Sequence, residues 1–181
     1  MVDVQDNKYP GLAQGPIDHQ SSLIVNATFI STGPLRVGVI GDSVFLLAPP
    51  AVGLLPEVDF VNSVAQERLV YGITVGGDLE GTYPKTGDVV NFSSQDSDVI
   101  ALNGDTVRVC TQGRCVARVN TDPSNSPIAI GDALQAISNG ELALAATGNI
   151  IIARALEAVP ATGVNTVSYI AVDVQREWEL S

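Results

Sequence analysis

The chain has 181 residues, of which 45% are apolar, 16% charged and only 5% aromatic, a composition that excludes disorder throughout and allows one domain with a substantial core. Its formal charge of −11, with nine Lys and Arg residues scattered along the chain, repels phosphate backbones and offers no basic stripe, so no nucleic-acid partner is expected. Gly, Pro or Asp interrupts every apolar run well short of the ~20 residues a membrane helix requires, and the start MVDVQDNKYPGLAQGP lacks the basic-then-apolar order of a secretory signal; a soluble protein made in the cytoplasm without export, with no membrane partner, is expected.

Residues 1–33 are rich in Gly, Pro, Asn, Gln and Ser, with one apolar patch, SSLIVNATFI at 21–30. They read as an extended N-terminal arm preceding a β domain over 34–181. From residue 35 the pattern is short apolar or alternating runs separated by turn residues, the signature of an all-β domain. RVGVIGDSVFLL places a turn at Gly41-Asp42. After APPAVGLLP, the stretch EVDFVNSVAQERL at 57–69 spaces Phe60, Val61, Val64 and Leu69 in a loosely helical way, which predicts a short helix or long loop, part of an insertion at about 49–68. LVYGITV, NIIIARALEAV and TVSYIAVDVQ are β-branched enough to be strands.

Two Asn-Gly pairs, Asn103-Gly104 in VIALNGDTVRVC and Asn139-Gly140 in LQAISNGELALA, suit the left-handed dihedrals of tight type I′ hairpin turns. Gly-Asp pairs recur at 41, 77, 87, 104 and 131. Their irregular spacing reads as turn punctuation rather than a calcium-binding repeat. SSQDSD, with Asp96 and Asp98 near Asn103 and Asp105, reads as a polar loop before it reads as a cation site.

VRVCTQGRCVARV carries the only two cysteines, Cys110 and Cys115. A two-residue turn at Gln112-Gly113 sets them opposite each other with α-carbons ~4.5 Å apart, within reach of a disulfide. A three-residue turn with Gly113 left-handed pairs Cys110 with Arg114 instead and leaves two thiols. Zinc is disfavoured by the lack of a second cysteine pair and by a single histidine, His19, in the arm, so no metal site is expected. A thioredoxin-like role wants two intervening residues and a helix N-terminus. The pair therefore reads as structural, bridged or not; a reducing cytoplasm keeps the thiols, and release from the cell permits oxidation.

Other chemistry finds little support. His19 alone gives no convincing general base for a Ser-His-Asp or Cys-His site. Glu57 with Asp59, and Glu177 with Glu179, are nominal carboxylate pairs of a kind any acidic chain contains. ITVGGDLEGTY lacks the Lys-Ser/Thr of a phosphate loop. Neither a catalytic site nor a cofactor is expected. One tryptophan, four tyrosines and four phenylalanines are too few for an aromatic sugar platform. Trp178, after the last strand, is a candidate for packing on its own domain or anchoring the tail in a partner.

Three stretches carry a resemblance that spans about 32–175: STGPLRVGVIGDSVFLLAP; LVYGITVGGDLEGTYPKTGDVV leading to GDTVRVCTQGRCVARVN; and IAIGDALQAISNGELALAATGNIIIARALEA followed by VSYIAVDVQRE. In this order of turns and apolar strands the chain resembles the structural cement, or capsid decoration, proteins of tailed bacteriophages. The cysteine pair, the insertion around 49–68 and the long arm depart from that pattern. The resemblance implies a compact β-barrel or sandwich-like domain, commonly trimeric, that binds the outer face of a capsid and reinforces it, with no active site. The expected partners are then the major capsid protein and two further copies of the chain, and the expected location is the virion. Physical features agree with it: a threefold ring lets each subunit cover its neighbour's strand edges, and an arm wrapping a neighbour would bury Leu23, Ile24, Val25, Phe29 and Ile30. The alternative from another class is a head-fibre or receptor-contacting module that attaches to glycans.

Overall fold

β-Branched residues crowd the strand-like runs, and the structure turns nearly all of those runs into strands. The computed structural model describes residues 22–32, 38–48, 52–61, 70–78, 89–91, 99–125, 127–164 and 166–177. In chain order the strands are β1 (Leu23–Phe29), β2 (Gly38–Val39), β3 (Ser43–Ala48), β4 (Glu57–Phe60), β5 (Val70–Gly77), β6 (Val89–Asn91), β7 (Val99–Ala101), β8 (Thr106–Asn120), β9 (Ala133–Ala136), β10 (Leu142–Leu144), β11 (Ile151–Ala155) and β12 (Thr166–Glu177). The fold is all-β, and the described residues contain no α-helix.

Five strands close into a barrel in the order β1, β4, β3, β5, β8 and back to β1. Every neighbouring pair is antiparallel except β1 with β4, which is parallel. On the other side of β8, pairing through β12, β11, β9 and β10 also returns to β8, closing with one parallel pair, Leu142 with Val119. Strand β6 extends this second circuit beside β12, and β2 with β7 forms a separate two-stranded ribbon.

The apolar part of the expected arm is therefore a strand of the domain. Residues 1–21 lie outside the described residues, but Leu23–Phe29 pairs along its length with β8 and, at Thr28 and Phe29, with β4. Ala27 and Phe29 are completely buried, and the Phe29 ring lies 5.1 Å from that of Phe60. The reason is closure: without β1 the barrel would present the bonding edge of β8 to water, and a barrel that closes on itself largely removes the edges a neighbour was expected to cover.

The helix or loop expected over 57–69 begins instead as β4. Val58, Asp59, Phe60 and Val61 are all buried, because Val58 and Phe60 face one apolar cluster and Val61 the other. A strand buried on both faces loses the polar alternation that marks a half-exposed one, and such a run is open to misreading as helix. Residues 62–69 lie outside the described residues.

Nor does the chain reverse at Gln112-Gly113. Strand β8 runs through 15 residues without a break, its first half held by β1 and β5 and its second by β12. Gly113, at φ 92°, supports a bulge rather than a hairpin. Against β1 the register steps from Ile24 opposite Cys110 to Leu23 opposite Gln112, so Thr111 is the extra residue. Val107 and Val109 consequently face the cluster of Ala27, Phe29, Val44 and Phe60, whereas the equally odd-numbered Cys115, Ala117 and Val119 face the other cluster. The bulge slips the alternation by one residue, letting one strand serve both cores.

Candidate functional site

Arg118, on the second half of β8, is 3% exposed, and its guanidinium meets two carboxylates that are equally buried. Its Nη1 lies 2.9 Å from Asp42 Oδ1, in the turn before β3, and its Nη2 lies 3.0 Å from Glu141 Oε1, just before β10. The second Glu141 oxygen accepts from Asn120 Nδ2 at 2.9 Å. Burial by itself pulls the guanidinium pKa down, but Asp42 and then Glu141 more than offset this, so Arg118 sits above its ordinary value and stays charged.

Backbone contacts seat this network. Arg118 N donates to Gly41 O at 2.8 Å, and Gly140 N donates to Val61 O at 3.1 Å. Ser43 Oγ donates to Gly140 O at 2.9 Å. At Gly140, with φ +77°, a Cβ would come within 2.9 Å of the Asp42 side chain, so only glycine lets the turn lie this close. Asp42 belongs to the first circuit and Glu141 to the second, and Arg118 ties them to the shared strand. Chemically the arrangement is a lock, because one guanidinium grips both carboxylates, leaving the buried triad with one net negative charge.

An open groove of about 680 Å³ runs over the β8 bulge, between Thr111–Arg114 and Asp173–Gln175. Its walls are polar: Gln112 and Arg114 are exposed, and Gln175 Nε2 donates to Asp173 Oδ2 at 2.6 Å. The start of β1 is fastened at its rim, with Ser22 Oγ donating to Arg114 O at 3.1 Å and Thr111 Oγ1 donating to Leu23 O at 3.3 Å.

Beneath this groove lie Cys110 and Cys115, both fully buried and both free thiols. Cys110 Sγ donates to Gln112 O at 3.3 Å. Burial, then hydrogen bonding and charge interaction with Cys110, then the charge of Asp173 raise the Cys115 pKa well above the ordinary thiol value.

Three exposed apolar side chains are grouped on the loop joining β3 to β4, while Ile130 and Val164, as exposed as Leu54, stand singly elsewhere. Val52 is 105% exposed, Leu54 70% and Leu55 42%. Among the residues read as partner contacts, Leu23 is also exposed, Ile24, Val25 and Ile30 are half-buried, and Phe29 belongs to the chain's own core. Trp178, His19, Asp96, Asp98 and Glu179 lie outside the described residues.

The nominal carboxylate pair at 57 and 59 is split, since Glu57 is exposed whereas Asp59 is buried and bonds Thr32 N and the Thr32 hydroxyl. Asn103 and Asp105 serve a turn: Asn103 Oδ1 accepts from Ser31 N at 2.8 Å, and Asp105 Oδ2 accepts from Leu102 N at 2.8 Å. Asp132 repeats the second contact, accepting from Ala129 N at 2.7 Å, so these Gly-Asp pairs are turn clasps in which the carboxylate caps the start of its own turn. Among the described residues, no three His, Cys, Asp or Glu side chains are grouped to hold a metal ion, and no helix is long and apolar enough to cross a membrane.

Sequence reasoning missed the Arg118 network and the exposed loop at 52–55. Asp42 carried the weak signal of a Gly-Asp turn, and LL after a Pro-rich run is an unusual composition for a loop; Arg118 and Glu141 carried none. Neither the protein-family models nor the curated proteins contain a match to this chain.

Proposed function

We propose that the chain is a virion structural protein that binds the outer surface of a bacteriophage capsid and reinforces the shell, working as a homotrimer without enzymatic chemistry. The observation that carries this reading is the apolar loop, with Val52, Leu54 and Leu55 held out from a closed barrel. Exposed apolar side chains grouped on one projection mark contact sites on soluble domains. Burying each is worth about 1.5–3 kcal/mol, enough for three to make a substantial share of a docking energy once the costs of association are met. The resemblance of the strand-and-turn order to decoration proteins supports the same reading, as does the internal lock, since a clamp against pressure profits from rigidity. The partners are the major capsid protein and other copies of the chain.

The test is rebinding of the purified protein to capsid shells stripped of it, with sedimentation for its oligomeric state. We expect a trimer that rebinds, and a Leu54→Asp variant that folds normally and binds at least tenfold more weakly, a difference of about 1.4 kcal/mol. A monomer that ignores the shells would end the proposal. The alternative, a head-fibre or receptor-binding module, draws on the polar groove over the β8 bulge, where Gln112, Arg114 and Asp173 offer donors and acceptors suited to a glycan. It predicts saturable binding to host polysaccharide that Arg114→Ala weakens and Leu54→Asp leaves alone.

A further inference from the structure

Two cysteines five positions apart on a regular strand point to opposite faces and cannot meet. The bulge in β8 changes that. By adding Thr111 to the count it turns Cys110 and Cys115 into the same apolar cluster, and Cys110 Sγ reaches along the chain to within 3.8 Å of Gly113 O, two residues short of Cys115. The hydrogen bond from Cys110 Sγ to Gln112 O, at 3.3 Å, folds this side chain back over the bulge. Between them sits Gly113, in the left-handed region at φ 92°, and above them lies the groove floored by Thr111–Arg114. The bulge is also the point where β8 passes from one circuit of strands to the other.

We infer that Cys110 and Cys115 form a redox latch: open as thiols in a reducing cytoplasm, and closed in oxidising surroundings into a disulfide that staples the β8 bulge and fixes the joint between the two circuits. This goes beyond the proposed function and does not depend on it.

Closure needs a co-oxidant, and a low-molecular-weight disulfide supplies it by exchange. One cysteine loses its proton and its sulfur attacks a sulfur of that disulfide, forming a mixed disulfide and expelling one small thiolate. The second cysteine, deprotonated in turn, attacks the protein-bound sulfur, forming the Cys110–Cys115 bond and expelling the second thiolate. Two protein thiols are oxidised, one small disulfide is reduced, and the two protons end on the two small thiols at neutral pH. The reactive species is the thiolate, which burial disfavours here, so the exchange proceeds through local opening of the bulge beneath the groove, and the latch is slow on the intact protein but closes readily during folding.

The full-length protein is therefore tested in two ways, incubated folded with oxidised glutathione, and refolded from denaturant in a glutathione redox buffer. Each sample is quenched in acid, denatured, alkylated and weighed by mass spectrometry. The expected product of refolding has lost two hydrogens, accepts no alkylating agent and regains both hydrogens with reductant. The folded sample reaches the same product more slowly. Cys110→Ser and Cys115→Ser variants, each with one thiol, instead keep that thiol or carry a single glutathione. The bridged form should unfold at a temperature several degrees above that of the reduced form. The inference is overturned if both thiols remain alkylatable in both arms, if glutathione ends on both cysteines, if only disulfide-linked dimers form, or if the bridged chain unfolds at a lower temperature than the reduced one.

Discussion

Arg118 holds two carboxylates where water does not reach, and the sign of its contribution depends on what is removed. A buried ion pair replaced whole by apolar groups is often neutral, whereas removing one partner strands the others. Arg118→Met leaves Asp42 and Glu141 as two uncompensated buried carboxylates in the space that now holds the triad, and should cost about 3–5 kcal/mol, read as a lowered urea midpoint. Glu141→Gln keeps an acceptor beside the guanidinium and should cost clearly less; equal losses would show that charge is not the issue. Cys115 gives a pH prediction. Its thiol pKa is raised on folding, first by burial, so the folded chain keeps a proton that the unfolded chain loses above the ordinary thiol value of 9.0. The stabilisation is complete below that value and is lost as pH rises from there toward the folded pKa, with a slope of up to about 1.4 kcal/mol per pH unit. The difference in unfolding free energy between the wild type and Cys115→Ala should shrink along this slope above pH 9.0; a difference independent of pH would contradict the assignment. Neither residue announces its role in the sequence, because burial is a property of what surrounds a side chain.

At the scale of elements, β8 carries the architecture, and its bulge is the critical detail. Gly113 adopts φ 92°, a region that costs a residue with a Cβ about 1–2 kcal/mol. Gly113→Ala should therefore destabilise the chain by about that amount, and amide exchange should quicken at Thr111–Arg114 before it does elsewhere in β8. Uniform exchange along the strand would mean that the bulge tolerates the change by relaxing. The runs around 70–77, 151–155 and 166–177 were legible as strands from their β-branched content alone. The two Asn-Gly turns looked alike but differ. Asn139 and Gly140 are both left-handed, as a type I′ turn requires, whereas at the earlier pair only Gly104 is. Residue preference permits a left-handed asparagine, and the strands a turn must join decide whether it is used. At Asn103 they do not ask for it, because β7 pairs with β2 rather than lying along β8.

For the whole molecule, one strand shared by two closed circuits makes a mechanical prediction. Each apolar cluster draws residues from β8, Cys115, Ala117 and Val119 on one side and Val107, Val109 and Val116 on the other, and the Arg118 lock spans the turns of both. Neither circuit is closed once β8 is lost, so the chain should unfold in one cooperative transition, seen identically by far-ultraviolet circular dichroism and by near-ultraviolet signals. Two separated transitions would show that the circuits fold as independent units. The same sharing explains why the apolar strand in the N-terminal segment belongs to the body of the protein: β1 is the piece that completes the first circuit.

The sequence by itself determined the all-β class, most strand positions, the turn role of the Gly-Asp pairs at 104 and 131, and the acidic, aromatic-poor composition, because each follows from local preference and residue content. Only the tertiary structure decided that β8 is one bulged strand and not a hairpin, that Leu23–Phe29 closes the barrel, and that Arg118 meets Asp42 and Glu141. Strand pairing over long separations depends on which edges and faces lie next to one another once the chain has collapsed, and that information resides in no single stretch of residues.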